Sequence, residues 1–202
     1  RVLPLVTPWD DSTINLIEPN VPHGERLYLQ LDARTSGTPG PAPYTYTKKS
    51  LIFDIPIGGT LHVSDTVVSA DLVLKRDWPE EPPLNYDQRL NVRPVLTPDP
   101  DDADMTWCFP WTDCGAYNPQ DVGPANGVVV IPAGTVNPDD DLDSIDVLPR
   151  ATPGASSLKF KIDPECTPNP SGNGFTYTQW YSSGFDVFPV RTVLELYHYP
   201  GP

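Results

Sequence analysis

The chain has 202 residues, 27 of them Pro and 14 Gly, so about a fifth of it bends or interrupts regular structure and long helices are not expected. Its 13 basic residues against 27 acidic ones give a formal net charge of −14, which repels nucleic-acid phosphates and anionic lipid headgroups. With 38% hydrophobic and 10% aromatic residues the chain can build a core, yet no run approaches the roughly 18 apolar residues of a membrane helix, so neither disorder nor membrane insertion is expected.

Taken in chain order, residues 1–8 form an apolar arm with two prolines and no signal-peptide pattern. Its Val2, Leu3, Leu5 and Val6 are expected either to make a first edge strand or to reach onto a neighbouring copy of the chain. Residues 9–202 read as one β-sandwich domain, because no shift in composition marks a second. Short segments with apolar alternation or apolar cores follow at Leu27–Leu31, Ser50–Pro56, Ala70–Lys75, Leu90–Leu96, Gly127–Pro132, Ser157–Asp163 and Thr192–Tyr199, each bounded by Pro, Gly, Asn or Asp. Each such strand must bury a face. The expected fold class is therefore all-β, an antiparallel two-sheet β-sandwich, jelly-roll-like, with long Pro/Gly-rich loops. Thr35–Pro43, Asp99–Asp104 and Pro138–Asp143 read as surface loops, the last two acidic.

Three cysteines are too few for a disulfide scaffold and lack metal-ligand spacing. Cys108 and Cys114 lie close together in a Trp-rich loop, where a bridge would contribute about 2 kcal/mol; the alternative is buried thiols, with Cys166 unpaired in either case. Asp139, Asp141, Asp143 and Asp146 have the alternating oxygens that wrap Ca2+, although Ser144 and Arg150 stand where an EF-hand has its Gly and bidentate Glu. A solvated acidic loop is the other reading. Trp107, Phe109, Trp111 and Tyr117 surround the two cysteines, and Trp180 and Tyr181 follow near the end. Alternation sends Trp107 into the core, whereas Trp111 and Tyr117 lie in loop-like sequence. A rigid exposed aromatic can stack on a sugar ring or fill a pocket on the next subunit, so Trp107, Trp111, Tyr117, Trp180 and Tyr181 are the candidate ligand or interface residues, with packing as the alternative.

His23, His62 and His198 fall in no ligand pattern, and neither a nucleophile elbow nor a phosphate loop is present. Catalysis and an obligatory cofactor are not expected. The sole Asn-x-Ser/Thr triplet, at Asn169, has Pro in its middle, which leaves O-linked sugar, with Thr35, Ser36, Thr38, Thr152, Ser156 and Ser157 as acceptors.

The order of motifs resembles the DNRLRE-type β-sandwich domain, a module related to carbohydrate-binding domains of secreted bacterial proteins. Trp9–Asn20, His23-Gly24 and Leu27–Asp32 look like its start, and Lys48–Pro56 is similar to its basic-Leu-x-Phe-Asp-Leu segment. Ser69–Leu74 looks like its Ala-x-Leu-x-Leu strand, Met105–Cys108 like its Thr-Trp-Asn, and Tyr181–Phe185 with Phe188–Tyr197 like its closing elements; Cys108, Gly184 and Pro189–Arg191 depart from the pattern. The resemblance, which covers about Trp9 to Tyr199, implies no catalytic machinery and an extracellular or surface location. It leaves two expectations: a structural subunit that assembles with copies of itself into a fibre, filament or virion decoration, or a carbohydrate-binding module.

Overall fold

The computed structural model describes residues 10–24, 28–36, 45–58, 61–76, 88–96, 104–125, 128–131, 142–148, 154–164, 175–182 and 192–202. Among these residues there are ten strands and no α-helix: β1 (Asp10–Asn15), β2 (Tyr28–Ser36), β3 (Thr45–Pro56), β4 (Thr66–Lys75), β5 (Gln88–Pro94), β6 (Val128–Ile131), β7 (Leu142–Asp146), β8 (Ser157–Pro164), β9 (Phe175–Tyr181) and β10 (Val193–Tyr199). Every named strand pair is antiparallel. The larger sheet runs β6-β5-β8-β3-β2-β9, with β1 also on β3, and the smaller runs β10-β4-β7. The expected all-β sandwich is the observed fold.

Side-chain alternation explains how the two sheets close on each other. Leu51, Phe53 and Ile55 of β3 and Leu158, Phe160 and Ile162 of β8 point to one face, where they meet Ala70, Leu72 and Leu74 of β4, Ile145 of β7 and Leu194 and Leu196 of β10. Phe53 and Phe160 are directly opposite in register and stack with ring centres 4.9 Å apart, a cross-strand pair at the centre of the core.

The opposite face of the larger sheet is covered as well. Ile14 of β1 and Ile52 of β3 form a second apolar cluster with Val95, Met105, Trp107, Trp111, Ala116 and Val122. Residues 104–123 thus lie over the sheet and bury side chains that alternation alone would send to solvent.

Three strands depart from the sequence reading. β1 and β9 were not among the expected strands, and β7 occupies part of what reads as an acidic loop. In β7, Asp143 and Ile145 face inward while Ser144 and Asp146 face outward; Arg76 and Trp180 make the inward carboxylate tolerable. The arm at residues 1–8 lies outside the described residues.

Candidate functional site

Two regions carry the polar and aromatic groups of interest, one on each outer face of the sandwich. The first lies beneath the Trp-rich loop. Lys161 and Asp163, on the non-core face of β8, are both buried, with the Lys161 Nζ 3.0 Å from Asp163 Oδ1. The Ser50 hydroxyl donates to the same carboxylate oxygen at 2.6 Å, and Lys48 and Arg93 approach the carboxylate at 3.6 and 3.5 Å. Burial alone would raise the Asp163 carboxyl, but Lys161, Lys48 and the Ser50 hydroxyl together hold it below its usual value. Burial pushes the Lys161 ammonium down to about 8, against the opposing pull of Asp163.

Lys161 also ties the loop to the sheet. It donates to the Gly115 carbonyl and, at 3.4 Å, to that of Ala116, and its ammonium lies 3.8 Å from the Tyr117 ring centre. Gly115 and Ala116 both have positive φ, 86° and 52°, which turns two successive carbonyls toward one cation. The Cys108–Cys114 disulfide is formed, and Thr106 Oγ1 accepts from the amides of Cys108 and Phe109. The Cys108 amide donates to the Pro19 carbonyl at 3.1 Å. This contact sets the loop beside Pro19; Ile17 and Val21 on that segment and Phe109 on the loop are each exposed.

The structure separates the candidate aromatics. Trp111, a candidate exposed aromatic in loop-like sequence, is instead packed, only 6% exposed, and donates its indole N–H to the Thr106 carbonyl at 2.9 Å; the loop folds back on the sheet rather than projecting. Trp107 is buried in the same cluster. Tyr117 is 44% exposed, with Lys48 at 4.5 Å from its ring centre and Trp107 edge-on. Trp180 is fully buried across the sandwich, its indole donating to Asp143 at 2.7 Å, and Tyr181 is half-buried beside it in sequence.

Asp143 accepts a bidentate pair from Arg76 at 2.7 and 2.9 Å. Asp146 lies on the other face of β7 and accepts from the Leu148 amide, so these two members of the candidate Ca2+ set are not brought together; Asp139 and Asp141 lie outside the described residues. No group of three or more His, Cys, Asp or Glu placed to hold a metal occurs among the described residues. Of the candidate sugar acceptors, Thr35 and Ser36 end β2, Ser157 begins β8 and Ser156 is exposed, while Thr38 and Thr152 lie outside the described residues.

The second region was not singled out in the sequence. A groove of about 440 Å³ on the smaller sheet is lined by Val68, Ser69, Tyr197, His198 and Tyr199. Its cause is a β-bulge: Tyr197 pairs with Ser69 and His198 with Val67, which leaves Val68 as an extra residue pushed outward. Tyr197 and the 70% exposed Tyr199 alternate with inward residues along β10, a pattern readable in Thr192–Tyr199. His198 Nδ1 lies 3.1 Å from Asp65 Oδ2, and Asp65 also accepts from the backbone amides of His62 and Gly201. Those two amides, the first of them foremost, hold its carboxyl below the usual value.

No family model and no curated protein matches the chain.

Proposed function

We propose that this chain is a non-catalytic extracellular β-sandwich of the DNRLRE type that serves as a structural subunit of a secreted or surface assembly. The observation that carries the reading is the exposure of Ile17, Val21 and Phe109 on two segments joined by the Cys108–Pro19 backbone hydrogen bond, the second of them fixed by a disulfide and a buried lysine. Apolar side chains on a rigid frame lose little entropy when another surface covers them. The disulfide supports an oxidising location, where such bonds persist. Light scattering and electron microscopy of the concentrated protein should show discrete oligomers, filaments or particles, and Phe109→Asp should abolish them while leaving a folded monomer. A wild-type chain that stays monomeric under both measurements refutes the reading.

The groove beside Tyr197 and Tyr199 favours a second reading, carbohydrate binding, because exposed ring faces above a concave surface suit the CH face of a pyranose.

A further inference from the structure

We infer that the outer face of the smaller sheet is a binding site for a cationic glycan, a chain of unacetylated amino sugars. The inference rests on the carbohydrate-binding reading and specifies its ligand. One end of this face is the groove, where Tyr197 and Tyr199 stand two residues apart on β10, a spacing of about 7 Å along a strand. Immediately next to it, three carboxylates stand in a row across the sheet. Glu195 of β10 is opposite Asp71 of β4, and Asp71 is opposite Asp146 of β7.

Directly opposed side chains in a sheet have Cβ atoms roughly 5 Å apart, and like charges placed so repel. None of the ion pairs formed among the described residues neutralises this row. The face therefore suits a ligand that brings positive charge and an apolar ring surface together, and a pyranose bearing an ammonium has both. A neutral sugar would satisfy the tyrosines alone, and an inorganic cation the carboxylates alone.

A third feature is independent of the acidic row. The His198 side chain is only 7% exposed, lines the groove, and its Nε2 has no hydrogen-bond partner among the described residues. Ser69, outward on β4, adds a hydroxyl at the same place.

The test is calorimetric titration of the full chain with a β-linked glucosamine hexamer at a pH that keeps its amines protonated, with the N-acetylated hexamer and oligolysine as comparators. The glucosamine hexamer should bind at least about tenfold more tightly than its acetylated counterpart, and Tyr197→Ala and Asp71→Asn should each weaken it by about tenfold or more. A cooperative thermal transition and a far-ultraviolet spectrum like the wild type's show that each variant is folded. Equal affinity for both hexamers, or wild-type affinity in either variant, overturns the inference while leaving carbohydrate binding standing elsewhere on the surface. Oligolysine binding that matches the glucosamine hexamer and ignores Tyr197→Ala overturns it in favour of a basic peptide. Failure to bind any polysaccharide in a broad screen removes the carbohydrate reading itself.

Discussion

The Lys161 ammonium donates to the Gly115 carbonyl from beneath the Tyr117 ring, so one buried side chain of β8 holds both the backbone and an aromatic of the loop that covers it. Lys161→Met should remove this tie and leave the Gly115 and Ala116 carbonyls and the Asp163 carboxylate without their common partner. A loss of about 2 kcal/mol or more is expected in denaturant unfolding. Faster quenching of tryptophan fluorescence by a small solute would show that the loop has loosened.

The same buried pair sets how stability depends on pH. The Lys161 ammonium is pushed from 10.5 to about 8 in the folded chain, so between these values the unfolded chain binds a proton that the native state has released. The contribution of Lys161 to stability therefore rises with pH across that window. Asp163 acts at the acid end, because its carboxyl is held below 3.8 in the native state. Its contribution is complete above 3.8 and is lost as pH falls through the lowered native value. Guanidinium midpoints measured across both windows should show the alkaline rise in the wild type and its absence in Lys161→Met.

What could be read from the residues is what alternation encodes. Ala70–Lys75 and Ser157–Asp163 show their core faces directly, because every second residue is apolar. β7 hid itself because its inward Asp143 is made acceptable by Arg76 and Trp180, partners far away in sequence. Lys161 and Asp163 were not singled out for a related reason: the loop that buries them comes from residues 104–123, and nothing local announces that it folds back. Trp111 was misplaced with it. Tyr197 and Tyr199 were legible as outward residues of an expected strand, but the Val68 bulge that makes a groove beside them is a matter of pairing register and leaves no mark in either strand alone.

Gly115 occupies a position where any side chain would collide. A Cβ there would stand 2.5 Å from Tyr117 Cε2 and 2.7 Å from Trp107 Cζ2, at a φ of +86° that L-residues rarely adopt. Gly115→Ala should therefore cost about 2 kcal/mol or more and displace Tyr117. Near-ultraviolet circular dichroism should lose the aromatic signal of the loop while the far-ultraviolet β signal persists, since the main core lies on the other face of the sheet.

Reduction of the Cys108–Cys114 bond should weaken the same loop from the side of the unfolded chain. The bridge closes a short loop, six residues apart in sequence, and by loop-closure entropy contributes about 2 kcal/mol. Unfolding in the presence and absence of a reductant should differ by that amount. The Trp111–Thr106 hydrogen bond does not involve the sulfurs, so the reduced protein should still fold, with the loss confined to stability. A reduced chain of unchanged stability would mean that the loop is held by Lys161 and its apolar contacts alone.

Asp71 lies between Glu195 and Asp146 in the row that crosses the smaller sheet, so it is the residue at which repulsion is greatest. Neutralising it removes two unfavourable neighbours at once, and Asp71→Asn should stabilise the free protein by about 0.5 kcal/mol at low salt. Added salt screens exposed charges over a shortening Debye length, so the wild type should gain stability with salt and the difference between the two proteins should shrink. The same substitution is expected to weaken amino-sugar binding, which makes the row a place where stability is given up for recognition. Paired measurements of thermal midpoint and affinity on Asp71→Asn test this directly: a variant that is less stable than the wild type at low salt would show that the three carboxylates do not repel one another, and the electrostatic argument for a cationic ligand would fall with it.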